Sequence, residues 1–174
     1  MQGCPSALIG NEPVTLSEGL QFLVNEHAPL RNYLETLFSL CHDVEKAEDK
    51  QMPFKQLIQE VTAFEKSLSF HSRREEDYMF AMMETYIGRS SGPLAVMDYE
   101  HEQAHGFIDA FLENTKTPDQ LSEYEQIKNT TLIKNAYDTL LDHFAKEEAV
   151  LYPMAERLFN DEEKETLKQK VSEI

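Results

Sequence analysis

Tryptophan is absent from this 174-residue chain, cysteine occurs only twice, and basic residues are half as frequent as acidic ones, 16 Lys and Arg against 32 Asp and Glu. Each scarcity excludes something. Two thiols, Cys4 and Cys41, cannot build the disulfide framework of a small secreted scaffold, so a reducing, cytoplasmic setting is expected. A formal net charge of −16 repels nucleic-acid phosphates and anionic membranes, so neither is an expected partner. No apolar run approaches the roughly 20 residues needed to cross a bilayer. The first ten residues lack a basic segment followed by an apolar one, so no signal peptide is expected. Alternating β-branched stretches are missing as well, which argues against a sheet.

What is present is helical. Ten Phe and seven Tyr, within 41% hydrophobic residues, supply the bulk for one domain. Four long amphipathic stretches are separated by breakers. The first is expected from Leu16 to Ala47, with Thr15 and Glu18 in capping-box spacing and an apolar stripe of Leu16, Leu20, Leu23, Leu30, Leu34, Leu37, Cys41 and Val44. Pro29 should bend it. The second is expected from Pro53 to Ile87, stopped by Gly88, with Leu57, Val61, Phe64, Leu68, Met79 and Met82 on its stripe. The third runs from Pro93 to Asn114, and the fourth from about Ser122 to Phe159. A short C-terminal helix capped at Asn160 or Asp161 continues through Val171. Short loops between four such helices argue for an all-α, up-down-up-down four-helix bundle over residues 15–160, with a flexible tail at 1–14 and the last helix at 161–174.

Five of the six histidines fall on these apolar stripes, and so do two glutamates. His27 stands alone on the first helix. His71 and Glu75, His101 and His105, and His143 and Glu147 are three pairs at i,i+4, a spacing that puts both side chains on one helix face. His42, between Cys41 and Val44, is off the stripe. A lone stripe histidine is usually a satisfied core residue, and one His-x-x-x-Glu is weak. Seven such donors on four successive helices are another matter, because a carboxylate in a core must be paired or bound to a metal. Seven donors exceed one ion and suit two. Five imidazoles fit calcium or magnesium poorly, and the lack of thiolates excludes a cysteine-type zinc site. Mixed imidazole and carboxylate ligation favours iron, ahead of manganese, zinc or cobalt. Leu23, Leu30, Leu68, Met97, Ile108 and Leu140 are expected to shield such a site from water.

The pattern resembles the hemerythrin-like (HHE cation-binding) family. The segments that carry the resemblance are Glu26-His27-Ala28-Pro29-Leu30-Arg31, His71 to Glu76, Glu100-His101 with His105, and His143 to Glu148 running on to Leu151-Tyr152-Pro153. The resemblance implies a non-haem di-iron centre, oxo- or hydroxo-bridged. One iron would take His101, His105 and His143, the other His27 and His71, with Glu75 and Glu147 bridging. It implies a vacant iron position for O2, NO or peroxide, used in sensing, storage or stress response. The alternative is a di-iron enzyme or an iron-sulfur repair or iron-supply protein. Oxygen carriers of the family place their last carboxylate, an Asp, five residues after its histidine. Here Glu147 is at four and Glu148 at five, and Glu147 better matches the stripe and the iron-sulfur repair branch. That branch typically lacks the second histidine of the third helix, which His105 supplies here. The chain is expected to be a monomer or homodimer.

Overall fold

The structure, a computed structural model, describes residues 14–173. Those residues are helical almost throughout and contain no strand. Cys4 and nearly all of the expected N-terminal tail lie outside them. The elements are α1 (Glu18–Lys46), α2 (Gln51–Arg74), the π-helical turn π1 (Glu75–Phe80), α3 (Ala81–Ile87), α4 (Pro93–Asn114), a 3-10 turn (Pro118–Gln120), α5 (Glu123–Lys146), the π-helical turn π2 (Glu147–Leu151), α6 (Tyr152–Leu158) and α7 (Asp161–Ser172). Thus α2, π1 and α3 follow one another without a break, as do α5, π2 and α6. Among the described residues no helix is long and apolar enough to cross a membrane.

The termini show why the boundaries fall where they do. The expected box at Thr15 and Glu18 does not form: α1 begins at Glu18, whose carboxylate pairs with Lys168 at 2.8 Å, and the Ser17 N–H donates to Glu156. Capping boxes form instead at Ser122 with Glu125, and at Asn160 with Glu163. Gly88 stops α3 at φ 72°, a left-handed conformation open to glycine. Pro29 lies on the exposed side of α1, which remains helical through it.

The chain divides into two compact units. The first comprises residues up to His27, Phe70–Asp98 and residues from His143 onward. Its apolar core joins Leu20 and Leu23 of α1, Met79, Phe80 and Met83 of the second stretch, Leu94 and Met97 of α4, Leu151, Tyr152, Met154 and Ala155, and Leu167 and Val171 of α7. Gly19 allows a close approach here: a Cβ at this position would stand 2.7 Å from the Lys168 backbone nitrogen. One stripe expectation is corrected. Met83, not Met82, is fully buried, because π1 inserts a residue and rotates everything after Glu75.

The second unit comprises Ala28–Ser69 and Tyr99–Asp142. Leu34, Leu37, Val44, Phe54, Leu57, Val61, Phe64, Phe111 and Ile133 are buried within it. The buried Cys41 thiol reaches the Thr130 carbonyl at 3.8 Å, and Lys134 pairs with Glu45. His42 pairs with Glu45 at 3.2 Å and is 42% exposed, as its position off the stripe implies.

Candidate metal centre

His27 comes from α1, His71 from the last turn of α2, and Glu75 and Glu147 are the first residues of π1 and π2. All four side chains are buried, three of them completely. Each offers one ligand atom, and these atoms lie within 4.8 Å of one another. Glu147 is inside and fully buried, whereas Glu148 is part-exposed, so the carboxylate four residues after His143 is the one that enters the cluster. His143 is also fully buried, its Nε2 3.2 Å from Glu147 Oε1.

The outer nitrogens of the two imidazoles determine what the inner ones can do. His27 Nδ1 lies 2.8 Å from the Glu148 carboxylate, and His71 Nδ1 lies 3.0 Å from that of Glu26. Glu26 is in turn held by the Arg74 guanidinium at 2.6 Å. With carboxylates as acceptors, each Nδ1 carries the proton and donates it, so in the neutral ring each Nε2 presents a lone pair. The two Nε2 atoms face each other at 3.2 Å. Glu147 Oε2 is 3.3 Å from His27 Nε2, and Glu75 Oε2 is 3.5 Å from His71 Nε2. Neither Glu147 oxygen is in hydrogen-bonding geometry with the imidazoles beside it. Lone pairs gathered this closely in a buried space repel unless something positive stands among them, either an extra proton or a metal cation.

The electrostatics of the protein without metal agree. Burial alone pushes the Glu147 carboxyl up, but His143, His27 and His71 outweigh it and hold the group well below the usual carboxylate range. Burial pushes the His71 imidazole down, and Glu75, Glu26 and Glu147 more than reverse this, so it titrates above its ordinary value. A proton on the imidazoles thus occupies the role that a cation would fill. Two buried imidazoles and two buried carboxylates, with outer nitrogens fixed by carboxylates, suit a borderline divalent ion such as iron.

Of the other expected ligands, His101 is buried on α4. His105 is on the same helix. It lies one turn beyond His101, about 6 Å further along the helix axis, where its Nδ1 sits 3.1 Å from Glu65 and its side chain is 23% exposed. The six expected shielding residues are all buried. Sequence reasoning assigned no role to Glu26 and Arg74 and weighed Glu148 only as an alternative last carboxylate; all three orient the imidazoles. Glu26 and Glu148 each stand next to a ligand or bridging residue in sequence, and that adjacency was the only signal available. The buried Tyr152 was also missed: its hydroxyl donates to Glu75 Oε1 and lies 3.3 Å from His27 Nε2.

The sequence pattern of the hemerythrin HHE cation binding domain matches residues 18–155. Among curated proteins, the chain is 30% identical over 139 residues to the iron-sulfur cluster repair protein YtfE of Escherichia coli O157:H7, and equally to that of Salmonella typhimurium. In each case the match covers 76% of this chain and 62% of the relative. The chain thus spans under two thirds of the length of these relatives. It belongs to the hemerythrin HHE cation-binding family.

Proposed function

We propose that this member of the hemerythrin HHE cation-binding family holds two iron ions and serves the repair of iron-sulfur clusters. The observation that carries the reading is the convergence of His27, His71, Glu75 and Glu147 on one buried space in an arrangement that only a positive charge relieves. His27 and His71 would hold one ion. For the second, the buried Glu75, His143 and Glu147 offer donors of the same chemistry, with the two carboxylates shared. The similarity to two iron-sulfur cluster repair proteins directs the iron toward repair rather than toward oxygen carriage.

When bound, the ions would supply one-electron chemistry and a position open to a small ligand. The protein's part is to fix the imidazoles. Glu148 and Glu26 accept hydrogen bonds from the Nδ1–H groups and keep both rings in the tautomer whose Nε2 faces inward. Arg74 offsets the charge of Glu26 and holds it in place. The flanking core of Leu23, Met79, Phe80 and Leu151 excludes water.

The test loads the protein anaerobically with Fe(II), counts the iron, and adds it to a dehydratase whose [4Fe-4S] cluster has been damaged by NO or peroxide. Reactivation that exceeds free iron at equal concentration, and that is lost in Glu75→Ala, supports the reading. Binding of two irons without any reactivation refutes the repair role. A second reading, reversible binding of O2 or NO in sensing or storage, is favoured by the dry core around the site. A stable adduct spectrum with no effect on damaged clusters would establish it in place of repair.

A further inference from the structure

The two His-x-x-x-Glu segments extend further than four residues. His71, Glu75 and Phe80 recur as His143, Glu147 and Tyr152, with identical spacing and with a π turn starting at each glutamate. A straight α-helix advances about 100° per residue and would place the residue five after the glutamate about 140° round the axis, away from it. A π turn bonds residue i to i+5 and returns that residue to the same side. The Tyr152 N–H makes this bond to the Glu147 carbonyl. Phe80 and Tyr152 are both completely buried as a result. They differ by one oxygen, and only Tyr152 brings a hydroxyl to the donor cluster.

We infer that Tyr152 is a positioning residue of the metal centre: its hydroxyl donates to Glu75 Oε1 and so fixes the plane of that carboxylate, presenting Oε2 on the side of His71. The geometry supports this at three points. The hydroxyl is bound to Oε1. Glu75 Oε2 lies on the His71 side, 3.5 Å from Nε2. The same hydroxyl stands 3.3 Å from His27 Nε2, farther than from the carboxylate, so its proton goes to Glu75 Oε1. A phenylalanine at this position, as in the first repeat, would fill the same space and leave the carboxylate free to rotate.

The inference rests on the proposed metal reading, and the test separates the two. Tyr152→Phe and wild type are titrated with Fe(II) under argon, and their carboxylate stretching bands are recorded with 13C-labelled glutamate. Wild type is expected to bind iron and the variant to bind the same number of ions about tenfold more weakly, with a shifted Glu75 carboxylate band both before and after loading. Thermal unfolding of the metal-free proteins checks that the variant folds. Equal affinity and an unchanged band would overturn the positioning role while leaving the metal reading intact. Absence of iron from folded wild type would overturn the metal reading instead. Resonance Raman spectra of oxidised wild type need no variant: phenolate modes coupled to iron would make Tyr152 a ligand and contradict the inference, and their absence supports it.

Discussion

Cys41 and Glu147 are both completely buried, and the contrast between them separates the two units. The Cys41 thiol, in the unit of residues 28–69 and 99–142, is neutral: burial, against the pull of Lys134, pushes it to about 12, and it donates to a backbone carbonyl. Glu147 is ionised, and its oxygens face imidazoles without hydrogen-bonding geometry. At Cys41 the buried group is neutral and bonded to a neighbour, so the chain itself supplies what that group needs. Where buried groups are charged donors pointed at one another, the interior needs an ion, and that requirement marks the functional region.

Substitutions should break the contrast cleanly. Leu57→Ala, in the unit that holds Cys41, is expected to cost about 2–5 kcal/mol of stability and to leave the iron count per folded molecule unchanged. His71→Ala and Glu75→Ala should do the reverse, losing most of the iron. Urea denaturation and metal analysis of the same samples decide; iron loss in Leu57→Ala at full folding would abolish the distinction. Metal itself should stabilise the folded chain by about 2.7 kcal/mol when free Fe(II) is a hundred times its Kd. This gain has a pH sign. Without metal, His71 titrates above its ordinary 6.5 and carries a proton that iron must displace. The gain is therefore full at pH well above that raised value and shrinks as pH falls through it. Unfolding midpoints with and without Fe(II) across this range check the sign.

Finer contrasts follow. Glu26→Gln and Glu148→Gln keep every ligand but weaken the hold on the Nδ1 protons, and isothermal titration should show about 10–100-fold weaker iron binding. Lys134→Ala removes the partner that holds the Glu45 carboxyl below its usual range. Its contribution is present above the ordinary carboxylate value and lost as pH falls through the lowered one, and for this part-exposed pair it should be about 0.5 kcal/mol by denaturant midpoint at pH 7. His42→Ala should leave the iron content nearly intact, since His42 lies off the stripe and pairs with Glu45.

Much of this was legible in the sequence, for one physical reason: polar residues at 3–4 spacing on an apolar stripe must enter the core. That places His27, His71, Glu75, His143 and Glu147 before any coordinates are seen, and the all-α fold with them. The rest was hidden because the stripe assumes an uninterrupted α-helix. At Glu75 and Glu147 the helix adds a residue, which moves burial from Met82 to Met83 and carries Tyr152 inward. Glu26 was hidden because it sits beside the stripe residue His27 and so reads as solvated surface, and Glu148 was weighed only as a ligand in place of Glu147.

The most direct test is an anaerobic Fe(II) titration of the wild-type chain and of Glu147→Ala, read by Mössbauer spectroscopy after oxidation. Two irons per wild-type chain, magnetically coupled, and little or no bound iron in the folded variant is the expected result. A wild-type chain that stays folded and binds no iron, or a variant that binds as many ions as wild type, would contradict the claim that a cation balances the buried donors.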